Sequence, residues 1–358
     1  MLELADRAIP VLGFLLGMTL VAELADRAGL FRAVAALLVR WTRGSVPVLW
    51  LGIVVAAILC TAFLSLDTTA VLLTPAVLAV AQRLRIDPRP FAYTCVWLAN
   101  TASLFLPVSN LTNLLAISAR SLSTRALLAE MWLPGSVTVL VTVALLALLF
   151  RRTLWRGGRA ARAAGRGRHP LLGAAAAVVA GLAAAILLGA DVTLAALGAA
   201  AALIIATAVL EPGRLRGLPV PWRLMLGVAA LFVLVQLARG AVLDDALAGL
   251  AFGHDPLGLL GVAGGGAALA NLINNLPAYL ALEGIAEGSP LLGAALLVGV
   301  NAGALVTPWA SLATLLWLGR CRAAGVRIHL GGFTARGALL VCLAVPAATL
   351  ALGLGTPG

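Results

Sequence analysis

Long apolar runs, broken at a few fixed places by polar residues, set the pattern of this chain. Runs with at most a single charged residue cover 9–25, 127–150, 171–189, 192–210, 224–243 and 336–354. A hydrocarbon core takes roughly 20 helical residues to cross, so each reads as a membrane span, the first a short one. After the first run, Leu30, Phe31, Val34, Leu37, Leu38 and Trp41 recur at helical spacing with most of the nearby Arg off that face. That predicts an amphipathic helix lying on the membrane surface. Two further apolar stretches, about 46–82 and about 257–284, are interrupted at Ser65-Leu-Asp67-Thr68-Thr69 and at Asn271-Leu-Ile-Asn274-Asn275-Leu-Pro277. The returning run of the first, 70–81, is too short to cross alone, so both stretches read as re-entrant hairpins.

Spans at 91–118 and 289–318 are broken in their middles by Pro107 and Pro308. Proline removes a backbone donor and clashes with the preceding turn. Ser109, Asn110, Thr112 and Asn113 follow the first break, Ser311 and Thr314 the second, and such side chains can satisfy the freed backbone groups. Asn100 and Pro107 answer Asn301 and Pro308 at one offset, 201 residues (301 − 100 and 308 − 107). All seven Asn of the protein lie in these stretches: Asn100, Asn110, Asn113, Asn271, Asn274, Asn275 and Asn301. Polar side chains are costly in hydrocarbon, and two matched interruptions of this kind mark a transporter with a midplane binding site.

The fold expected is an all-α polytopic membrane protein with an inverted-topology repeat, each half holding a re-entrant hairpin and a broken transmembrane helix. The first repeat covers 1–150, a basic cytoplasmic linker 151–169, and two linking spans plus the second repeat 170–358. Arginine supports that threading. The chain has 25 Arg and no Lys, and with both hairpins re-entrant 21 of them fall on one side, Arg7, Arg120, Arg125 and Arg239 being outside. This is the positive-inside bias of a cytoplasmic face. Reading either hairpin as a crossing would invert everything after it.

Composition agrees. Hydrophobic residues make up 62% and charged residues 11%, with a mean hydropathy of +1.07. A soluble domain carries roughly twice that charge, so none is left to assign. The net charge of +11 sits in short loops, which argues against nucleic acid as a partner and for the lipid bilayer. Cys60, Cys95, Cys321 and Cys342 are dispersed without metal-ligand spacing and are expected to be buried small apolar residues, with no metal or cofactor. The first apolar run lacks the basic start and cleavage site of a secretory leader. His169, His254 and His329 all fall in loops, so an intramembrane hydrolase lacks its constellation and no enzyme is expected. Trp50, Trp132 and Trp222 stand at span ends as interface anchors. Glu23, Asp26, Glu130, Asp191, Glu283 and Glu287 also lie at span ends and read as solvated.

Asp67 is the one carboxylate placed at a hairpin tip. An ionisable group inside a membrane is a functional candidate, here a proton carrier. The competing role is a cap for the helix starting at Thr68-Thr69. Asn100, Ser109, Asn110, Thr112, Asn113, Asn271, Asn274, Asn275, Asn301, Ser311 and Thr314 are the candidate substrate-binding residues, able to hydrogen-bond a small polyhydroxylated solute. The alternative for any of them is capping of a broken helix. Asn274-Asn275-Leu-Pro277 answers Asp67 with neutral amides, making one tip acidic and one neutral.

The runs Thr68-Thr-Ala-Val-Leu-Leu-Thr-Pro75, Ala99-Asn-Thr-Ala-Ser-Leu and Val108-Ser-Asn-Leu-Thr-Asn113 resemble the arsenite/antimonite efflux permeases. So do Asn271-Leu-Ile-Asn-Asn-Leu-Pro277, Gly299-Val-Asn-Ala-Gly and Thr307-Pro-Trp-Ala-Ser-Leu-Ala-Thr-Leu-Leu-Trp317. These belong to an ion-transporter superfamily that includes sodium/proton antiporters and dicarboxylate/sodium symporters. The resemblance implies a scaffold domain and a moving transport domain in a homodimer of the inner (plasma) membrane. It implies export of arsenite or antimonite against proton entry, and leaves a soluble ATPase subunit as an open partner. Neutral As(OH)3 presents three hydroxyls, which suit Asn, Ser and Thr. A sodium/proton antiporter or carboxylate transporter of the same superfamily is the alternative; the second half holds only Ser311-Leu-Ala313-Thr314 where dicarboxylate relatives repeat a Ser-Asn-Thr motif. The family's Asn-Asp pair at the first hairpin reads Leu66-Asp67 here, and the family usually has one or two spans before 9–25.

Overall fold

The computed structural model describes residues 2–42, 45–155, 170–238, 252–286 and 288–355. Backbone groups in hydrocarbon must be satisfied within their own segment, and the described residues are helical almost throughout. In chain order, α1 is Leu2–Arg27, α2 Leu30–Trp41 and α3 Val46–Leu64. A short turn Leu66–Thr68 and a π-helical turn Thr69–Leu73 lead into α4, Thr74–Arg83. Next come α5 (Arg89–Thr101), α6 (Leu111–Arg120) and α7 (Thr124–Leu149). The second half holds α8 (Pro170–Leu187), α9 (Val192–Leu210), α10 (Trp222–Ala238), α11 (Pro256–Ile273) and α12 (Asn275–Leu282). It ends with α13 (Pro290–Ala302), α14 (Leu312–Ala323) and α15 (Leu330–Gly355).

Among the described residues seven helices are long and apolar enough to cross a membrane: 8–27 within α1, then α3, α7, α8, α9, α11 and α15. The chain is a multi-pass, all-α membrane protein. The amphipathic helix expected near 30–41 is α2, which buries Phe31, Ala35 and Val39 and exposes Arg32, Arg40 and Trp41. Most of the linker, 156–169, lies outside the described residues, as do Arg43, Arg239 and Glu287.

The helices form two packed groups. α1 lies along α9, α9 against α8, and α10 against α1, while α7, α11 and α13 pack on α15 or its neighbours together with the two hairpins. Without a hydrophobic drive between helices in lipid, close approach depends on small residues. A Cβ at Gly17 would stand 2.8 Å from the Ala196 backbone of α9, and one at Gly299 would fall onto the Ala263 carbonyl of α11. Both contacts need glycine.

Each hairpin turns back on itself. Trp50, early in α3, donates its indole N–H to Thr94 Oγ1 early in α5 at 2.9 Å, so the first hairpin leaves at the end where it entered. His254, just before α11, bonds Ser289, the cap of α13, at 2.8 Å and closes the second in the same way. The start of α13 lies beside the end of α6, where Arg120 meets Gly293, and its end meets the start of α6 through Asn301. The ends of the first hairpin thus lie beside the start of α5, and those of the second beside the end of α6.

Several side chains differ from the sequence expectation. Trp50 is no interface anchor: it is buried against Trp155 and Thr94, whereas Trp132 and Trp222 are more than half exposed. Cys342 is exposed, while Cys60, Cys95 and Cys321 are buried. Glu283 is buried, because it falls on the second hairpin's returning arm rather than beyond it. Glu130 is paired with Arg120 at 2.7 Å, whereas Asp191 is exposed as expected and caps α9 through Leu194 N at 2.8 Å.

Candidate solute-binding site

Four helices begin in the middle of the protein, and each begins at a break the sequence marks. Ser65 and Asn274, at the hairpin tips, adopt φ 121° and φ 124°, a region nearly reserved for glycine and costing about 1–3 kcal/mol per residue. Each then serves as a cap. Ser65 Oγ accepts from Thr68 N at 3.2 Å and Asn274 Oδ1 from Leu276 N at 3.3 Å. At the broken helices Asn110 Oδ1 accepts from Thr112 N at 3.3 Å, while Ser311 caps nothing with its side chain. Short 3-10 turns, Pro107–Ser109 and Pro308–Ala310, precede these two starts.

The first break is closed by its own side chains. Asn113 Nδ2 donates to the carbonyls of Ser103 (2.7 Å) and Leu106 (3.0 Å), and Ser109 Oγ donates to the same two carbonyls. Asn301 then reaches across from the second half. Its Oδ1 accepts from Asn110 Nδ2 at 2.9 Å and Thr112 Oγ1 at 2.7 Å, and its Nδ2 donates to Asn113 Oδ1 at 2.9 Å. All four residues are buried. Ser109, Asn110, Thr112, Asn113 and Asn301 therefore form one network, most of whose capacity is spent within the protein.

The second break is held differently. Asn271 Oδ1 accepts from Val306 N and Thr307 N at 2.9 Å each, and its Nδ2 donates to Gly303 O at 2.7 Å. Asn274 Nδ2 donates to Trp309 O at 2.8 Å. The second hairpin is thereby tied to its broken helix by amide side chains. Asn271 is committed to backbone at both ends, which is the capping role weighed as the alternative in the sequence. Asn100 donates to Val96 O at 2.9 Å, and among the described residues its Oδ1 has no partner, nor do Ser311 Oγ and Thr314 Oγ1.

A cavity of about 590 Å³ opens between the two helix groups where these starts converge. Its walls include Phe14, Met18 and Glu23 of α1 and Val228 and Leu231 of α10. Opposite them stand Ser65, Asp67 and Thr68 of the first tip, Asn274 and Asn275 of the second, and Asn110 and Ser311. Of the sequence candidates, the fold thus brings Asp67, Asn110, Asn274, Asn275 and Ser311 to one wall. Asn100, Ser109, Thr112, Asn113, Asn271, Asn301 and Thr314 stand outside the lining. Asp67 and the 6% exposed Asn275 make no side-chain hydrogen bond or ion pair among the described residues. Asp67 is not the cap of its helix, because Ser65 Oγ already accepts from Thr68 N.

Sequence reasoning passed over Ser65 and treated Glu23 as solvated. Ser65 carried a signal, a small polar residue ending an apolar run just before Asp67. Glu23 carried none, since only the crossing of α1 against the hairpin tips turns it inward. It is held by Arg27 Nε at 2.8 Å, and Arg27 in turn donates to the carbonyls of Arg214 (2.7 Å) and Arg216 (2.9 Å). Among the described residues no arginine or histidine lines the cavity, and no three His, Cys, Asp or Glu group to hold a metal ion.

Known proteins of this kind are membrane transporters. The chain is 27% identical to an arsenical pump membrane protein of Yersinia enterocolitica, covering 94% of this chain and 84% of that one. It is 28% identical to the arsenical pump membrane protein of Escherichia coli K12 over the same shares, and 26% identical to an uncharacterized transporter of Mycobacterium tuberculosis over 96% and 85%. Among solved structures the YdaH transporter of Alcanivorax borkumensis shares the fold, with a TM-score of 0.60 at 19% identity, covering 98% of this chain and 86% of that one. The family model described as citrate transporter (CitMHS) matches residues 3–314, and with that match across most of its length the chain belongs to the citrate transporter family.

Proposed function

We propose that the chain is a secondary active transporter that exports arsenite and antimonite in exchange for protons. One observation carries the reading. The cavity meets four helix N-termini and three unpartnered polar side chains, Asp67, Asn275 and Ser311, and among the described residues its lining holds two carboxylates and no cationic side chain. A carboxylate-bearing solute would face Asp67 and Glu23 with no arginine to receive it, whereas neutral As(OH)3 offers hydroxyls to amides, hydroxyls and helix starts. The relatives named arsenical pump membrane proteins support the same substrate class.

In this reading the halves form an inverted-topology repeat. The hairpins and broken helices move together past α1, α8, α9 and α10 in an elevator step, within a homodimer of the inner membrane. Asp67 is the coupling carboxylate, and Asn110, Asn274, Asn275 and Ser311 touch the solute. Ser109, Thr112, Asn113, Asn271 and Asn301 shape the breaks that hold them. A second reading has one observation in its favour. Helix N-termini carry partial positive charge, and four of them at one cavity also suit a citrate-class anion. Everted membrane vesicles with an acid-inside pH gradient separate the two. Radiolabelled arsenite accumulates and the accumulation collapses with a protonophore if the first holds; citrate accumulation without arsenite accumulation overturns it.

A further inference from the structure

Matching residues in the two halves are used unequally. Asn100 and Asn301 hold the same place, and Asn110, Thr112 and Asn113 correspond at the same 201-residue offset to Ser311, Ala313 and Thr314 (311 − 110, 313 − 112, 314 − 113). Around Asn301 the network is complete, with Thr112 Oγ1 donating to Asn301 Oδ1 at 2.7 Å. Around Asn100 it is empty. Among the described residues Asn100 Oδ1, Ser311 Oγ and Thr314 Oγ1 have no partner, although they are 0%, 1% and 0% exposed. α5 and α14 pack together, with Trp317 Nε1 donating to Ala92 O at 3.0 Å. Of the four central helix starts, that of α14 alone receives no side-chain cap.

Two residues explain the difference. Ala313 has no hydroxyl where Thr112 has one, so Asn100 Oδ1 lacks its donor. Asn271 has taken over the broken backbone, so Thr314 has nothing to hold, unlike Asn113. We propose that Asn100 Oδ1, Ser311 Oγ, Thr314 Oγ1 and the uncapped start of α14 are the part of the site that receives the solute, reached past Ser311 on the cavity wall, and that Ala313 keeps it unfilled. This deepens the exporter reading and rests on it. The ligand chemistry follows from the groups. The helix start and two hydroxyls can donate, so they want lone pairs, while the amide oxygen wants a proton. A bare cation would sit against the positive end of a helix, and a carboxylate against the amide oxygen. A neutral hydroxylated solute meets both demands.

The test is an isosteric pair, Ala313→Thr and Ala313→Val, read by arsenite-dependent thermal stabilisation of the purified protein in detergent, with sodium chloride as the matched salt. The threonine hydroxyl closes on Asn100 Oδ1 as Thr112 closes on Asn301. Ala313→Thr therefore melts higher than Ala313→Val without arsenite, and its apparent arsenite affinity falls at least about tenfold, or 1.4 kcal/mol. Ala313→Val adds the same bulk without the hydroxyl, and its affinity falls several-fold less than that of Ala313→Thr. Thr314→Val carries the same test without added bulk: affinity falls about tenfold while stability holds, because its hydroxyl has no partner to lose. Unchanged affinity in Ala313→Thr or Thr314→Val, an equal fall in Ala313→Val, or equal stabilisation by sodium chloride alone overturns the inference. Absence of any arsenite effect on the unaltered protein overturns the exporter reading, and this inference with it.

Discussion

Asn301→Ala against Asn100→Ala offers a comparison in which sequence symmetry and structure disagree. By sequence the residues are equivalent, so each should cost the same. By structure, Asn301→Ala removes three buried side-chain hydrogen bonds, to Asn110, Thr112 and Asn113. Each loss leaves a buried polar group and costs ~1–3 kcal/mol by soluble-protein measure, or about 0.6 kcal/mol by the average for membrane helices. Three such losses span about 2 to 9 kcal/mol, and since bonds sharing one residue do not add, roughly 2–6 kcal/mol is expected. Asn100→Ala removes one bond, Nδ2 to Val96 O, from a carbonyl that already accepts within its helix. That costs ~0.5–1.5 kcal/mol, so Asn301→Ala should be the weaker by about 3 kcal/mol at the centres of the two ranges and by about 0.5 kcal/mol where they come nearest. Denaturant unfolding of both purified variants in detergent measures the gap. Equal destabilisation, or Asn100→Ala as the weaker protein, would refute the asymmetric network.

Asp67→Asn should fold normally, because Ser65 supplies the cap, and should bind arsenite while losing pH-driven uptake in everted vesicles; retained uptake would exclude Asp67 as the proton carrier. Asn271→Ala frees the backbone at Gly303, Val306 and Thr307 and should abolish transport, with protection against amide hydrogen exchange lost across 303–307 and kept across 103–106. Single cysteines at Arg83 and Gly288 should label from opposite sides of intact cells, the first only from the cytoplasm; labelling from one side would break the inverted-repeat reading.

Much was legible in the sequence because a bilayer punishes exceptions. Apolar runs of membrane length, Asn confined to a few segments and prolines at matched offsets can mean little other than broken helices around a polar site, since unpaired backbone in hydrocarbon is too costly to occur by chance. The amphipathic α2, the two hairpins and both breaks follow from that constraint alone, and so does the class of membrane transporter. Pairing across the halves is another matter. Nothing in the order of residues says that Asn301 closes on Asn110, Thr112 and Asn113 across some 190 positions while Asn100, in the same local setting, bonds only the Val96 carbonyl of its own helix. Nor does it say that Ser65 rather than Asp67 caps the first tip, that Trp50 turns inward to Thr94, or that Glu23 of α1 faces the cavity. Those outcomes depend on which helix faces meet and on which residue claims a freed carbonyl first. Hydrogen bonds between distant segments are settled by three-dimensional competition, and only the tertiary structure decides it.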